Sequence, residues 1–263
     1  PRQLQNAEGF LRFVAAPPGS YFTTEISGAK SSSPELAAQA FIATNVGAFA
    51  RSSVRMAFST NRVTSTGDYS YVKLQQTYNG VDVFGAQMSV QTDAYGNVVC
   101  VLSDVLRDTT PLDDGSVSIT PKVGVTEAQA IALAWAKSEY GGAAEEYSSS
   151  QGVRMLLEPD VVGETGGLAL VWKFTIFRAA QPIVKEVVFI NAHTGALAFH
   201  YPLIHDARIR KIYDARNDYT YNPNGPIYIV AGELVRSEGE DASGIKDVDL
   251  AYEYFEDVYD FYN

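Results

Sequence analysis

The sequence predicts an α+β protein: two consecutive units, each a helix packed on an antiparallel sheet, then a β-rich tail that ends in a helix. Three observations carry this prediction. Runs of alternating polarity are separated by turn dipeptides, most clearly in Leu74-Gln75-Gln76-Thr77-Tyr78-Asn79-Gly80-Val81-Asp82-Val83-Phe84-Gly85. One amphipathic helical pattern precedes each group of strand-like runs. From His205 onward the composition changes: residues 204–263 hold 13 of the 31 acidic residues, 6 of the 20 Lys and Arg, and half of the 16 tyrosines.

The first unit opens with a lead-in over 1–32, where Gly9-Phe10-Leu11-Arg12-Phe13-Val14 reads as a short strand broken by Pro17-Pro18-Gly19. Ser33 is a helix cap and Pro34 takes the first helical position, where a missing N–H costs nothing. Ala38, Phe41, Ile42, Val46 and Phe49 follow at helical spacing and form one apolar stripe. Strands are expected at about 54–63, 69–78, 81–92 and 97–106. At the central turn Asn79-Gly80 accepts the positive φ angles of a tight hairpin, because Gly lacks a Cβ and Asn tolerates the left-handed region. Val72, Leu74 and Tyr78 are expected on one face before the turn, with Phe84, Ala86, Met88 and Val90 sharing a face after it. A helix and a sheet that each carry one apolar face must bury them against one another.

Residues 109–124 read as a polar, turn-rich linker between domains spanning 1–108 and 125–203. In the second domain, Thr126 and Gln129 have capping-box spacing, Ala128, Ile131, Ala132 and Trp135 make the apolar face, and Gly141-Gly142 ends the helix. Strands are expected at about 153–158, 168–178, 183–191 and 196–201. The two units end on corresponding turns, Thr92-Asp93-Ala94-Tyr95-Gly96-Asn97 and Asn191-Ala192-His193-Thr194-Gly195-Ala196, and a weak internal duplication is the economical explanation. The last helix, from about Asp247, carries Val248, Tyr252, Phe255, Tyr259 and Tyr262 in one stripe, whose natural cover is expected beyond Asn263.

Composition excludes several classes. The formal charge of −11 and the lack of any Lys/Arg cluster argue against a nucleic-acid partner. No apolar run reaches the length of a membrane span, so no membrane role is expected. The single cysteine, Cys100, rules out an internal disulfide, and its apolar surroundings suit a buried structural thiol. The chain begins at Pro1 with neither an initiator Met nor a signal peptide, and is expected to be a segment of a longer precursor.

The string around the hairpin resembles the propeptide of secreted thermolysin-like zinc metalloproteases, whose pattern reads close to Gln-x-Tyr-Asn-Gly-x-x-Val-Phe-Gly. It is carried here by Gln76, Tyr78, Asn79, Gly80, Val83, Phe84 and Gly85. The second unit resembles a PepSY domain through Val125-Thr126-Glu127-Ala128-Gln129-Ala130-Ile131-Ala132-Leu133-Ala134 and Phe189-Ile190-Asn191-Ala192-His193-Thr194-Gly195-Ala196-Leu197. In the tail, Arg210-Lys211-Ile212-Tyr213-Asp214-Ala215, Leu234-Val235-Arg236-Ser237-Glu238-Gly239 and the helix from Asp247 look like the start of the mature catalytic domain.

The resemblance implies two cystatin-like units followed by a truncated catalytic domain over 204–263. It implies a secreted prosegment that is both intramolecular chaperone and inhibitor of its cognate catalytic domain, until autocatalytic cleavage near Leu203, Ile204, His205 or Asp206. It implies zinc and calcium in the full-length enzyme, and none in this chain. The alternative is a free-standing PepSY-type binding or inhibitor module.

Zinc proteolysis in that family needs His-Glu-x-x-His, two imidazoles one helical turn apart with a general base between them. The sequence has no such motif. His193, His200 and His205 are expected to be solvated or packing residues, with no carboxylate converging on them at ligand spacing. No catalytic, cofactor or metal residue is therefore assigned. Ser31-Ser32-Ser33 and Ser148-Ser149-Ser150 are expected loop serines, Gly163-Glu164-Thr165-Gly166-Gly167 a hairpin loop, and Asp113-Asp114 and Asp247-x-Asp249 solvated or capping acids.

Overall fold

The computed structural model describes residues 1–22, 33–51, 53–180, 183–203, 211–214, 219–220, 228–229, 232–237 and 240–262. It divides into two compact units, Pro1–Leu203 and Ile204–Asn263.

In the first unit, Ser33 Oγ accepts from Leu36 N and caps helix α1 (Pro34–Asn45), as its sequence demands. Ala38, Phe41 and Ile42 lie on a sheet made of β3 (Met56–Thr66), β4 (Tyr69–Tyr78), β5 (Val81–Asp93) and β6 (Val98–Asp104). Val72, Leu74, Met88, Val90 and Val101 fill the space beneath the helix, each essentially inaccessible. The lead-in adds a hairpin of β1 (Arg2–Gln5) and β2 (Leu11–Ala15) to the free edge of β6. The first of these strands is not legible in sequence, since all four of its residues are exposed.

The second half repeats the arrangement. Helix α3 (Val125–Tyr140) presents Ala128, Ala132 and Ala136 to Phe174, Ile176, Val188 and Ile190. Alanine at every fourth position lets the helix approach the sheet closely. That sheet holds β7 (Tyr147–Ser149), β8 (Val153–Leu157), β9 (Ala169–Arg178), β10 (Val184–Asn191) and β11 (Leu197–Pro202), with β11 on its edge. The expected capping box does not form. Gly124 is the N-cap without a side-chain bond, and Gln129 Nε2 instead donates to Ser149 Oγ at 2.5 Å. Ser148 and Ser149 lie on β7 and not in a loop, while Ser31 and Ser32 fall outside the described residues.

The two sheets are one: eleven strands joined where the start of β5 runs parallel to β8, at Val83↔Leu156. A shared core of Tyr78, Val81, Val83, Ala86, Leu106, Leu112, Leu156, Leu170 and Ala192 spans the join. The segment expected as a linker takes part in it: α2 (Thr110–Asp113) buries Leu112, and Val117 and Ile119 pack against the same core.

In the second unit, β12 (Lys211–Asp214) pairs with β15 (Glu233–Ser237), and the short β13 (Tyr219–Thr220) pairs with β14 (Tyr228–Ile229). Helix α4 (Lys246–Tyr262) contacts β12 and β15. Asp249 accepts from the backbone N–H groups of Ser243 and Gly244 and pairs with Arg236 at 2.9 Å, so this acid is a capping residue. The Arg236 guanidinium sits 3.8 Å from the centre of the Tyr252 ring. Val248 and Tyr252 are buried and Phe255 is 60% exposed, whereas the side chains of Tyr259 and Tyr262 fall outside the described residues.

Candidate functional site: the hairpin joint and the strand beyond it

The Asn79-Gly80 turn has φ of 46° and 75°, so both residues take the left-handed conformation that the dipeptide allows. Before the turn, Gln76 is fully buried. Its amide pairs with both backbone groups of Leu106: Nε2 donates to the carbonyl at 2.9 Å, and Oε1 accepts the N–H at 2.8 Å. The side chain thus replaces a strand partner where the ladder of β6 has ended. Tyr78 donates its hydroxyl to Asp113 Oδ1 at 3.0 Å and accepts from Arg55 at 3.2 Å. Hydrogen bonds from Thr109, Tyr78 and Ser53, with Arg55 nearby, hold the Asp113 carboxyl below its usual range. Both motif residues therefore fasten the segment that leaves the first sheet.

After the turn, the register between β4 and β5 shifts, with Thr77 opposite Asp82 but Gln75 opposite Gln87. Gly85, at φ 73°, lies inside this bulge, and Gln75 Nε2 donates to the carbonyls of Val83 and Ala86. The bulge reverses the alternation. Val81 and Val83 face the shared core, as does Ala86, and Phe84 is turned to the opposite side. The expectation that Phe84 shares a face with Ala86 is thereby corrected, because simple alternation cannot anticipate inserted residues. Phe84 packs on Phe189 (ring centroids 4.6 Å apart) and Tyr201 (6.2 Å), among Met155, Leu157, Val171 and Val187. A Cβ built on Gly85 would lie 3.3 Å from the Cγ1 atoms of both Val161 and Val162. Gln76 and Tyr78 thus grip the exit of the first sheet, while Val83, Phe84 and Gly85 grip the second.

The strand that carries Tyr201 runs toward the expected cleavage region. Pro202 pairs with Glu186, and Leu203 N donates to Lys185 O at 2.7 Å. Leu203, 38% exposed, is therefore still held by the ladder of β10, and Ile204, His205 and Asp206 lie outside the described residues.

Sequence reasoning missed one polar cluster. Glu186 lies under α3 with its side chain 2% exposed, and its Oε1 is 2.7 Å from Nδ1 of His200. Tyr140 donates its hydroxyl to Oε2 at 3.1 Å. A carboxylate does meet a histidine, contrary to the expectation above. The signal was the shared inward parity of Glu186 and His200 on paired strands, which only the register reveals. Burial, then the Glu186 charge, pushes the Tyr140 hydroxyl up to about 12. His193 is a half-buried turn residue whose Nε2 is 3.1 Å from Thr120 O. Among the described residues no group of three or more His, Cys, Asp or Glu could hold a metal ion, and no helix is long and apolar enough to cross a membrane.

Residues 59–105 match the family described as Fungalysin/Thermolysin Propeptide Motif. The matched stretch contains most of β3, all of β4 and β5, all of β6, and hence every motif residue from Gln76 to Gly85. The chain carries a peptidase-propeptide motif, of the kind that belongs to fungalysin/thermolysin-type metalloproteases. Among solved structures, the Bacillus megaterium YpeB C-terminal domain is similar at 13% identity and a TM-score of 0.31, with 68% of each chain covered. No curated protein matches.

Proposed function

We propose that this chain is the prosegment of a secreted zinc metalloendopeptidase of the fungalysin/thermolysin kind, with the beginning of the mature enzyme attached. The observation that carries the reading is the coincidence of the propeptide motif with the joint of the first unit. Motif residues that carry no chemistry of their own hold two half-sheets in one frame. In this role residues 1–203 give the cognate catalytic domain a surface to fold against, and cover its cleft until the connection is cut. A partner that binds the native fold in preference to the unfolded chain stabilises it by mass action, and a tether raises its effective concentration. The second half plays the PepSY-like part, residues 204–263 open the catalytic domain, and zinc and calcium belong to that domain.

The ladder bond at Leu203 supports one choice among the proposed cleavage positions. A protease cleft binds extended chain, so a cut before Leu203 would require β11 to peel from β10. A cut between Leu203 and Ile204 leaves the Leu203 ladder bond on the prosegment side and puts a bulky aliphatic residue, Ile204, after the cut. In the full precursor the expected mature N-terminus is Ile204 or within a few residues of it. N-terminal sequencing of the processed enzyme tests this, and a start well inside 215–263 rules the reading out.

A further inference from the structure

The second half-sheet has two unlike sides. Helix α3 covers one of them, over Phe174, Ile176, Val188 and Ile190. On the other, Met155, Leu157, Val171, Val187 and Phe189 are buried with neither α1, α2 nor α3 above them. Their cover is a single layer of side chains: Phe84 from the joint, Val162, and Phe199 and Tyr201 from β11. The three rings and Phe189 form one cluster, with neighbouring centroids 4.6 to 6.3 Å apart. The layer itself is only half-buried, and Val153, Phe177 and Leu203 beside it are exposed.

Charge on this side has one sign. The register sets Lys173 opposite Phe189 and Lys185 opposite Phe177. Their amines lie 5.8 Å from the centre of the Phe84 ring and 6.0 Å from that of Phe177. The only acid in β7 to β11 is Glu186, and it points the other way, to Tyr140 of α3. Half-buried aromatic rings with basic groups among them and no acid are the make-up of an interface.

We propose that the helix-free side of the second half-sheet, through Phe84, Lys173, Phe177, Lys185, Phe199 and Tyr201, is where the cognate catalytic domain docks. The partner's identity rests on the prosegment reading. Two observations select that partner. Strand β11 carries Phe199 and Tyr201 on this side, and Leu203 N is bonded to the carbonyl of Lys185, so the chain that follows starts at the border of the face and is held at high effective concentration. That chain is also of the opposite charge, with 13 acidic residues against 6 basic ones over 204–263, and complementary charge steers and orients docking. A second copy of the sheet would bring only lysine charge to both sides of the contact.

Amine acetylation read by mass spectrometry tests this without altering the face. It compares the full precursor, made inactive at the glutamate of its zinc motif, with the 263-residue chain, which carries only the opening of that domain. Lys173 and Lys185 are expected to react at least about fivefold more slowly in the precursor, because an interface core excludes water and reagent. Lys122 and Lys137, exposed residues of the 109–124 segment and of α3, are expected to react equally in both. Equal labelling of Lys173 and Lys185 in the two chains overturns the proposal. So does protection of Lys122 and Lys137 in their place, which would put the partner on the helix side, or protection that fades as the precursor is diluted, which would make the occupant a second copy. A precursor that needs residues 1–203 for activity yet leaves Lys173 and Lys185 open refutes this face and keeps the prosegment reading. A precursor fully active without residues 1–203 refutes the reading itself.

Discussion

Single side chains decide how the hairpin joint holds. Gln76 satisfies two buried backbone groups at Leu106 that have left their strand. Gln76→Leu keeps the volume and strands both groups, at about 1–3 kcal/mol for each unmet partner; urea unfolding should show a loss of that order, and an unchanged midpoint would mean that Leu106 finds other partners. Asp113 works through its charge. Its folded carboxyl titrates below its unfolded value, held there by Thr109, Tyr78 and Ser53. The stability it contributes is complete above the unfolded pKa and is lost as pH falls through the folded one. Tyr78→Phe should reduce that acid-side loss, measured as the pH dependence of the unfolding midpoint. At Tyr140 the sign is opposite. Its hydroxyl is raised to about 12, so its contribution is complete below the ordinary tyrosine range and fades as pH rises toward that value. Tyrosinate absorbance should show late-titrating groups, Tyr140 and the burial-raised Tyr201 among them, and Tyr140→Phe should remove the contribution of the first.

Among the elements, the helices and most strands of the first unit were legible from periodicity, because each has one buried face and one exposed face. Strand β4 shows why: Val72, Leu74 and Tyr78 alternate with exposed or half-exposed neighbours, and Asn79-Gly80 supplies the positive φ angles of the turn. Strand β1 was not legible, since it buries nothing. The reversal at Phe84 was hidden as well. A bulge is written in backbone geometry, and its one trace in the sequence is Gly85, which reads equally well as part of a loose motif. The pairing of Glu186 with His200 depends on register, which one strand's pattern does not contain. Gly85→Ala tests the bulge directly. It forces a side chain into the left-handed region and against Val161 and Val162, at a cost of about 1–2 kcal/mol. Hydrogen exchange should quicken first in β8, across the join. Uniform exchange through the first unit would show that Gly85 is not part of what couples the half-sheets.

At the scale of the whole molecule, the first unit is a continuous sheet carrying the two long helices α1 and α3, with no catalytic constellation among its described residues. Its most specific residues are spent on joining its halves. That suits the proposed prosegment role, since a template must keep its shape while another domain folds on it. The negative charge is concentrated from residue 204 onward, where the second unit begins. Helix α4 there buries Val248 and Tyr252 and leaves Phe255 and Tyr254 exposed. The most direct test is to express the full precursor, the same precursor without residues 1–203, and the latter with residues 1–203 supplied in trans, and to measure recovered peptidase activity. The account predicts active enzyme from the first, little or none from the second, and recovery in the third that gives way to inhibition as residues 1–203 are added in excess. Full activity from the shortened precursor alone, with no inhibition by added 1–203, would contradict it.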